Sequence, residues 1–211
     1  MLRITEMFCS LQGEAKYTGI PTTFIRLTGC PLRCTYCDTA YAFTGGSKIT
    51  IQQILAKVKA YGVPHVTVTG GEPLAQPKCI ELLSSLLHAG YIVSLETSGA
   101  LDIAKVPSLI HKVLDLKTPG SNEHKRNLFS NLVYLNNNDQ IKIVICNEED
   151  YEWAKQVIKD HKLTAICEVL LSPSYEQINA KTLAEWIIRD KLPVRLQLQL
   201  HKQLWGNLPG V

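Results

Sequence analysis

Three cysteines, Cys30, Cys34 and Cys37, stand in a C-x3-C-x2-C pattern within a loop that also holds Gly29 and Pro31. Thiolates spaced this closely need little further chain closure to hold a soft metal or an iron-sulfur cluster. Their number is informative. A structural zinc site and a fully ligated cubane each need four protein ligands, so three leave one metal position open to a reagent. A zinc site completed by a distant histidine or by Cys9 is the alternative. The remaining cysteines are scattered and the total of seven is odd, unlike a disulfide framework, so a reducing cytoplasm is the expected compartment.

Other polar residues fall where expected strands end. Thr69-Gly70-Gly71-Glu72-Pro73 follows the apolar run 65–69, and parallel α/β folds bind ligands at such C-terminal strand ends. Glycines there let a ligand approach the backbone, although the pentapeptide alone also reads as a turn. Glu96-Thr97-Ser98-Gly99 and Asp115-Leu116-Lys117 end two further runs. Arg26, between Ile25 and Leu27, needs an anionic partner if buried, and a substrate carboxylate would serve. Gln12 and Glu14 could offer a donor and an acceptor to the amidine-like edge of a heterocycle, or could belong to a polar N-terminal hairpin. Asp38-Thr39 offers oxygen ligands of the kind magnesium takes.

Cys30-x3-Cys34-x-Tyr36-Cys37, with an aromatic residue before the third cysteine, resembles the signature of the radical S-adenosylmethionine (SAM) enzymes. The resemblance implies a [4Fe-4S] cluster on these cysteines, SAM chelated at the open iron, and an external, flavodoxin-like electron donor for its cleavage to a 5′-deoxyadenosyl radical. It also implies that Tyr36, Gly71, Ser98, Asp115, Leu116 and Lys117 lie against SAM, with Glu96 free to act instead as a structural residue. The ordered set of Leu11-Gln12-Gly13-Glu14, Phe24-Ile25-Arg26-Leu27-x-Gly29-Cys30, Cys37-Asp38-Thr39, Thr69 to Pro73, Glu96 to Gly99 and His201-Lys202 is similar to the 7-carboxy-7-deazaguanine synthase family of the queuosine pathway. That similarity runs from about residue 4 to residue 202.

The family resemblance implies conversion of 6-carboxy-5,6,7,8-tetrahydropterin to 7-carboxy-7-deazaguanine, a precursor of a tRNA modification, with loss of ammonia. Leu11, Gln12, Gly13, Glu14, Arg26, Thr69 and His201 are then substrate contacts and Thr39 a magnesium ligand. The reactive species comes from the cofactor, with no catalytic side chain of the protein, and the assembly is a homodimer. Two features depart from the family pattern. The tail continues past Lys202 to Val211, so the substrate contact that a terminal carboxylate makes in some members is not assigned to Val211. Ser172-Pro173 stands where other members often carry glutamine before the proline. Competing functions are a radical SAM activating enzyme acting on a protein partner and a zinc-stabilised binding module.

These residues need strands to hold them. Apolar, β-branched runs occur at 22–28, 65–69, 91–96, 113–117, 140–145, 165–171 and 194–200. In the last, Val194, Leu196, Leu198 and Leu200 alternate with Arg195, Gln197, Gln199 and His201, which predicts a strand with one packed and one polar face. Helical patterns lie between most runs: Ile51, Ile54, Leu55 and Val58 behind a Thr50–Gln53 capping box, Lys78 to Ala89, a helix capped by Asn147, and one over 180–190. Strands alternating with helices imply right-handed βαβ units and a parallel sheet. A complete eightfold barrel needs about 250 residues. The 211 residues therefore predict an incomplete TIM-like parallel β/α barrel with abbreviated helices, in a single radical SAM domain spanning 1–211. The segment 118–138 reads as an excursion or mobile loop.

Composition narrows the partners. Hydrophobic residues at 45% with 19% charged exclude disorder for most of the chain, and a net charge of +3 is too small for a polyanion-binding surface, so no nucleic acid is expected. Glu6 precedes any apolar run, and no stretch approaches the ~18 apolar residues of a membrane span, so neither a signal peptide nor a membrane is expected.

Overall fold

The computed structural model describes residues 1–206, 208 and 210. Strands β1 (Leu2–Leu11) and β2 (Pro21–Leu27) form an antiparallel hairpin, and β3 (Ser47–Ile49) adds antiparallel to the outside of β1. From β2 onward the sheet is parallel: β4 (His65–Gly70), β5 (Ile92–Thr97), β6 (His111–Leu116), β7 (Gln140–Ile145), β8 (Glu168–Pro173) and β9 (Arg195–Leu196). The order β3-β1-β2-β4-β5-β6-β7-β8-β9 leaves β3 and β9 as unjoined ends, which makes the architecture an incomplete parallel barrel.

Helices α1 (Ile51–Tyr61), α2 (Cys79–His88), α3 (Glu148–Asp160) and α4 (Ala180–Arg189) cover the outside, and α5 (Leu200–Trp205) follows β9. Local sequence explains their ends. Thr50 accepts from Gln53 N while the Gln53 side chain accepts from Thr50 N, and Gly62 closes α1 in the left-handed region at φ 71°. Asn147 caps α3 ahead of Glu148 and Glu149, which suit the positive end of the helix dipole. Among the described residues no α-helix joins β5 to β6 or β6 to β7, and fewer helices cover the sheet than it has strands.

Alternation along the parallel strands creates an apolar outside and a polar inside. Ile25, Leu27, Val66, Val68, Val93, Leu95, Leu114, Leu116, Ile141, Ile143, Val169 and Leu171 face the helices and form the core with Ile54, Leu82, Leu86, Tyr151 and Leu183. Their neighbours Arg26, Thr69, Glu96, Asp115, Lys142 and Ser172 face the barrel interior.

Several expectations are corrected. The predicted strand over 194–200 is only Arg195–Leu196, because Leu200 N donates to Gly13 O at 2.9 Å and the chain then turns into α5, with His201 in its first turn. The run 165–171 begins pairing only at Glu168, since residues 163–165 form a 3-10 turn. β1 and β3 were not among the expected strands; in β1 the ladder shifts register between Ile4 and Glu6. The 118–138 segment folds into three short 3-10 helices. Asn131 ties it to Ile103 N and Leu101 O, and Asp150 accepts from Thr118 Oγ1 and Gly120 N.

Candidate active site

The barrel interior holds a cavity of about 470 Å³ that opens at the C-terminal ends of the parallel strands. Its lower wall is the loop joining β1 to β2. Ala15 N donates to Gln197 Oε1 and Lys16 N to Gln140 Oε1, while the Tyr17 ring packs against His65 and His111. This anchoring presents Gln12 and Glu14 to the cavity from within. Gly13 lets His201 approach, because a Cβ at that position would overlap His201 Nδ1.

Gln12 Nε2 donates to Thr67 Oγ1 at 3.0 Å and to Glu96 Oε1 at 3.3 Å, and Thr69 Oγ1 donates to Glu96 Oε2 at 2.8 Å. Burial and the nearby Glu14 charge push the Glu96 carboxyl up, against Lys142, the Thr69 hydrogen bond and Arg26. The Glu14 carboxylate is gripped by Lys142 Nζ at 2.6 Å and Gln199 Nε2 at 2.8 Å. Burial acts against its charge, yet Lys142, Gln199 and His201 hold its pKa down at about 2. Arg26 lines the same cavity, and its anionic partner within the chain is Glu6: Nε meets Glu6 Oε1 at 2.6 Å, and Tyr41 donates to the same oxygen at 2.8 Å.

The three cysteines line the same cavity. Their loop is docked from outside: Thr35 Oγ1 donates to Gly120 O, Thr35 N to Ser121 O and Arg33 N to Glu123 Oε1. Burial raises the Cys30 pKa and brings Cys34 to about 11. Ligation requires thiolates, so taking up a cluster would release protons. Among the described residues no three His, Cys, Asp or Glu side chains are already grouped to hold an ion. Gly71 is demanded by close approach, since a Cβ would overlap Gly29 O.

Two buried polar atoms along this cavity, Tyr36 Oη and Asp115 Oδ1, lack hydrogen-bond partners, while Asp115 Oδ2 pairs with Lys117 Nζ at 2.8 Å. Three soft ligands beside unpaired polar groups fit an open-sited iron-sulfur cluster and a zwitterionic SAM. Ser98 also lines the cavity, but its hydroxyl and amide both donate to Glu72, at 2.5 and 2.7 Å. Glu72, fully buried, accepts from Thr97 and Leu74 N as well, and so brackets the ends of β4 and β5. Leu116 is not brought to the cavity; its side chain lies in the outer core. Leu11, Thr39, Ser172 and Pro173 do line the cavity, with Thr39 Oγ1 donating to Asp38 Oδ1 at 2.7 Å. Val211 lies outside the described residues.

Sequence reasoning missed Glu6, Lys142 and Gln199. Lys142 carried a signal: a lysine between Ile141 and Ile143 in a strand is as conspicuous as Arg26 between Ile25 and Leu27.

Residues 24–120 match the Radical SAM superfamily model. The chain is 42% identical over 208 residues to a 7-carboxy-7-deazaguanine synthase of Chlorobaculum tepidum, covering 97% of this chain and 94% of that one. It is 39% identical to the enzyme of that name from Koribacter versatilis, covering 97% of each. The crystal structure of QueE from Escherichia coli superposes with a TM-score of 0.77 at 25% identity, covering 95% of this chain and 94% of that one. The chain belongs to the 7-carboxy-7-deazaguanine synthase family. It is thus a radical SAM lyase of 7-deazapurine biosynthesis that uses a [4Fe-4S] cluster and SAM, and the zinc-module reading is set aside.

Proposed function

We propose that the cavity binds SAM at its cysteine end and 6-carboxy-5,6,7,8-tetrahydropterin at the Gln12–Glu14–Arg26–His201 end, converting the pterin to 7-carboxy-7-deazaguanine and ammonia. The observation that carries this reading is that Glu14, Gln12 and Arg26 line the same cavity as the three cysteines. Cys30, Cys34 and Cys37 would hold the cluster, which with SAM supplies a 5′-deoxyadenosyl radical. The rest of the work is positional. Arg26 pairs with the pterin carboxylate through the guanidinium nitrogens that Glu6 does not engage. Glu14 accepts from the amidine edge, with Gln12, Thr69 and His201 around the ring. Tyr36, Gly71, Ser98, Asp115 and Lys117 surround SAM, Leu116 contributing through its backbone at most. Thr39, at the rim beside Asp38, ligates magnesium together with substrate and water.

An external, flavodoxin-like donor supplies electrons. The enzyme works as a cytoplasmic homodimer of single-domain chains spanning 1–211. One continuous sheet supports the single domain, and no helix among the described residues is long and apolar enough to cross a membrane. The alternative of a protein substrate is less favoured because the polar groups converge inside the barrel and not on an outer face.

Anaerobically reconstituted protein incubated with SAM, dithionite and the pterin tests the reading. Equal amounts of 7-carboxy-7-deazaguanine and ammonia are expected, and replacing any one cluster cysteine by Ala should abolish both. SAM cleavage without ring contraction would count against it.

A further inference from the structure

Lys142 stands at the midpoint of the site. It projects from β7 into the barrel, with Nζ 2.6 Å from Glu14 Oε2 and 4.0 Å from Asp115 Oδ2, and its side chain is 17% exposed. Asp115 pairs with Lys117 on one side, and Glu14 with Gln199 on the other. A single cation therefore joins the carboxylate at the proposed SAM end to the carboxylate at the proposed pterin end. Resting on the functional reading above, we propose that Lys142 is a positioning residue that keeps Glu14 ionised and oriented as the acceptor for the amidine edge of the pterin, and so sets pterin recognition without touching the reacting carbon.

Among the described residues, the ion pair that Glu14 makes is with Lys142. The charged groups facing the pair are Asp115 and Lys117 from the end of β6, Glu96 from β5, Arg26 from β2 and His201 from α5. Arg26 is engaged by Glu6, and Lys117 by Asp115 at 2.8 Å. Burial opposes the Lys142 charge, but Glu14, Asp115 and Glu96 keep it protonated far into alkali, so it acts as a fixed charge and not as a proton carrier. Without it, burial and the charge of Glu96 would raise the Glu14 pKa. A protonated Glu14 presents a donor where the amidine edge also presents donors, so pterin affinity would fall as pH falls.

The test compares wild type with Lys142→Met, Lys142→Arg and the double variant Glu14→Gln/Lys142→Met, all reconstituted with cluster. KM for 6-carboxy-tetrahydropterin and for SAM is measured from pH 6 to 8. Lys142→Met should raise the pterin KM at least tenfold at pH 7, with a SAM KM change at least fivefold smaller. Relative to wild type, its pterin KM should climb further toward pH 6. The arginine variant should recover part of the affinity and lose the added pH dependence, and the double variant should also lose it. Lys142→Gln is measured in parallel, so that a methionine variant that does not fold leaves the comparison intact. Neutral variants with a pterin KM within twofold of wild type at every pH, or with equal losses for SAM and pterin, would overturn the inference while wild-type turnover of the pterin stands. If wild type itself does not turn over the pterin, the functional reading fails first and the inference with it.

Discussion

Arg26 and Glu6 lie directly opposite each other on β2 and β1, and the Arg26 Nε to Glu6 Oε1 distance is 2.6 Å. The strand pair thus presents a guanidinium whose orientation is set before any ligand arrives. Arg26→Ala should leave a desolvated substrate carboxylate unpaired, at a cost of roughly 3 to 5 kcal/mol, and depress kcat/KM a hundredfold or more with iron content unchanged. Lysine should rescue poorly, because a point charge does not reproduce the planar fork. Glu6→Gln should be milder, about tenfold. Steady-state kinetics on the pterin measures all three.

Gly13 and His201 make a second pairing. A Cβ at position 13 would occupy the place of the His201 ring, so Gly13→Ala should mimic His201→Ala. Both variants are expected to lose pterin turnover by similar factors while cluster content, read by iron and sulfide analysis, remains that of wild type. An alanine at position 13 that leaves turnover unchanged would show that His201 has no role on the substrate side.

Acid stability follows from Glu14. Its pKa is depressed from 4.5 to about 2 in the folded chain, so its ion pair contributes fully above pH 4.5 and is lost as pH falls toward about 2. Glu14→Gln should therefore be less stable than wild type near neutrality, with Lys142 left only the longer 4.0 Å pairing to Asp115, yet show a shallower decline below pH 4.5. Urea midpoints measured across pH 2 to 7 test both halves of the statement.

Magnesium dependence should be specific to turnover. If Thr39 is a ligand, Thr39→Ala should raise the magnesium concentration needed for half-maximal rate severalfold, with SAM binding unaffected. Identical rates in chelator and in millimolar magnesium, in protein verified as magnesium-free, would remove the assignment.

Much of this site was legible because its residues announce themselves locally. Cys30, Cys34 and Cys37 share one loop, and Gln12, Glu14, Arg26 and Thr69 sit in or beside short apolar runs that turn out to end inside the barrel. Partnerships were less legible, since Glu14 and Lys142 are 128 residues apart and meet only because β7 faces the β1–β2 loop across the barrel. Glu6 was hidden by the register shift that interrupts alternation in β1. The Val194 to His201 alternation promised a strand, but only Arg195–Leu196 pairs; Leu200 N is captured by Gly13 O, a contact no local pattern encodes, and the chain enters α5 there. Leu116 shows the converse: within Asp115-Leu116-Lys117 only the outer pair faces the cavity, as strand periodicity requires.

SAM cleavage and pterin activation are proposed to occur in one cavity. The most direct test uses 6-carboxy-tetrahydropterin deuterated at the carbon bearing the carboxylate, incubated with reconstituted enzyme, SAM and dithionite. The expected result is 7-carboxy-7-deazaguanine as product and deuterium in the recovered 5′-deoxyadenosine, read by mass spectrometry. Ring-contracted product with no label in the nucleoside would contradict it.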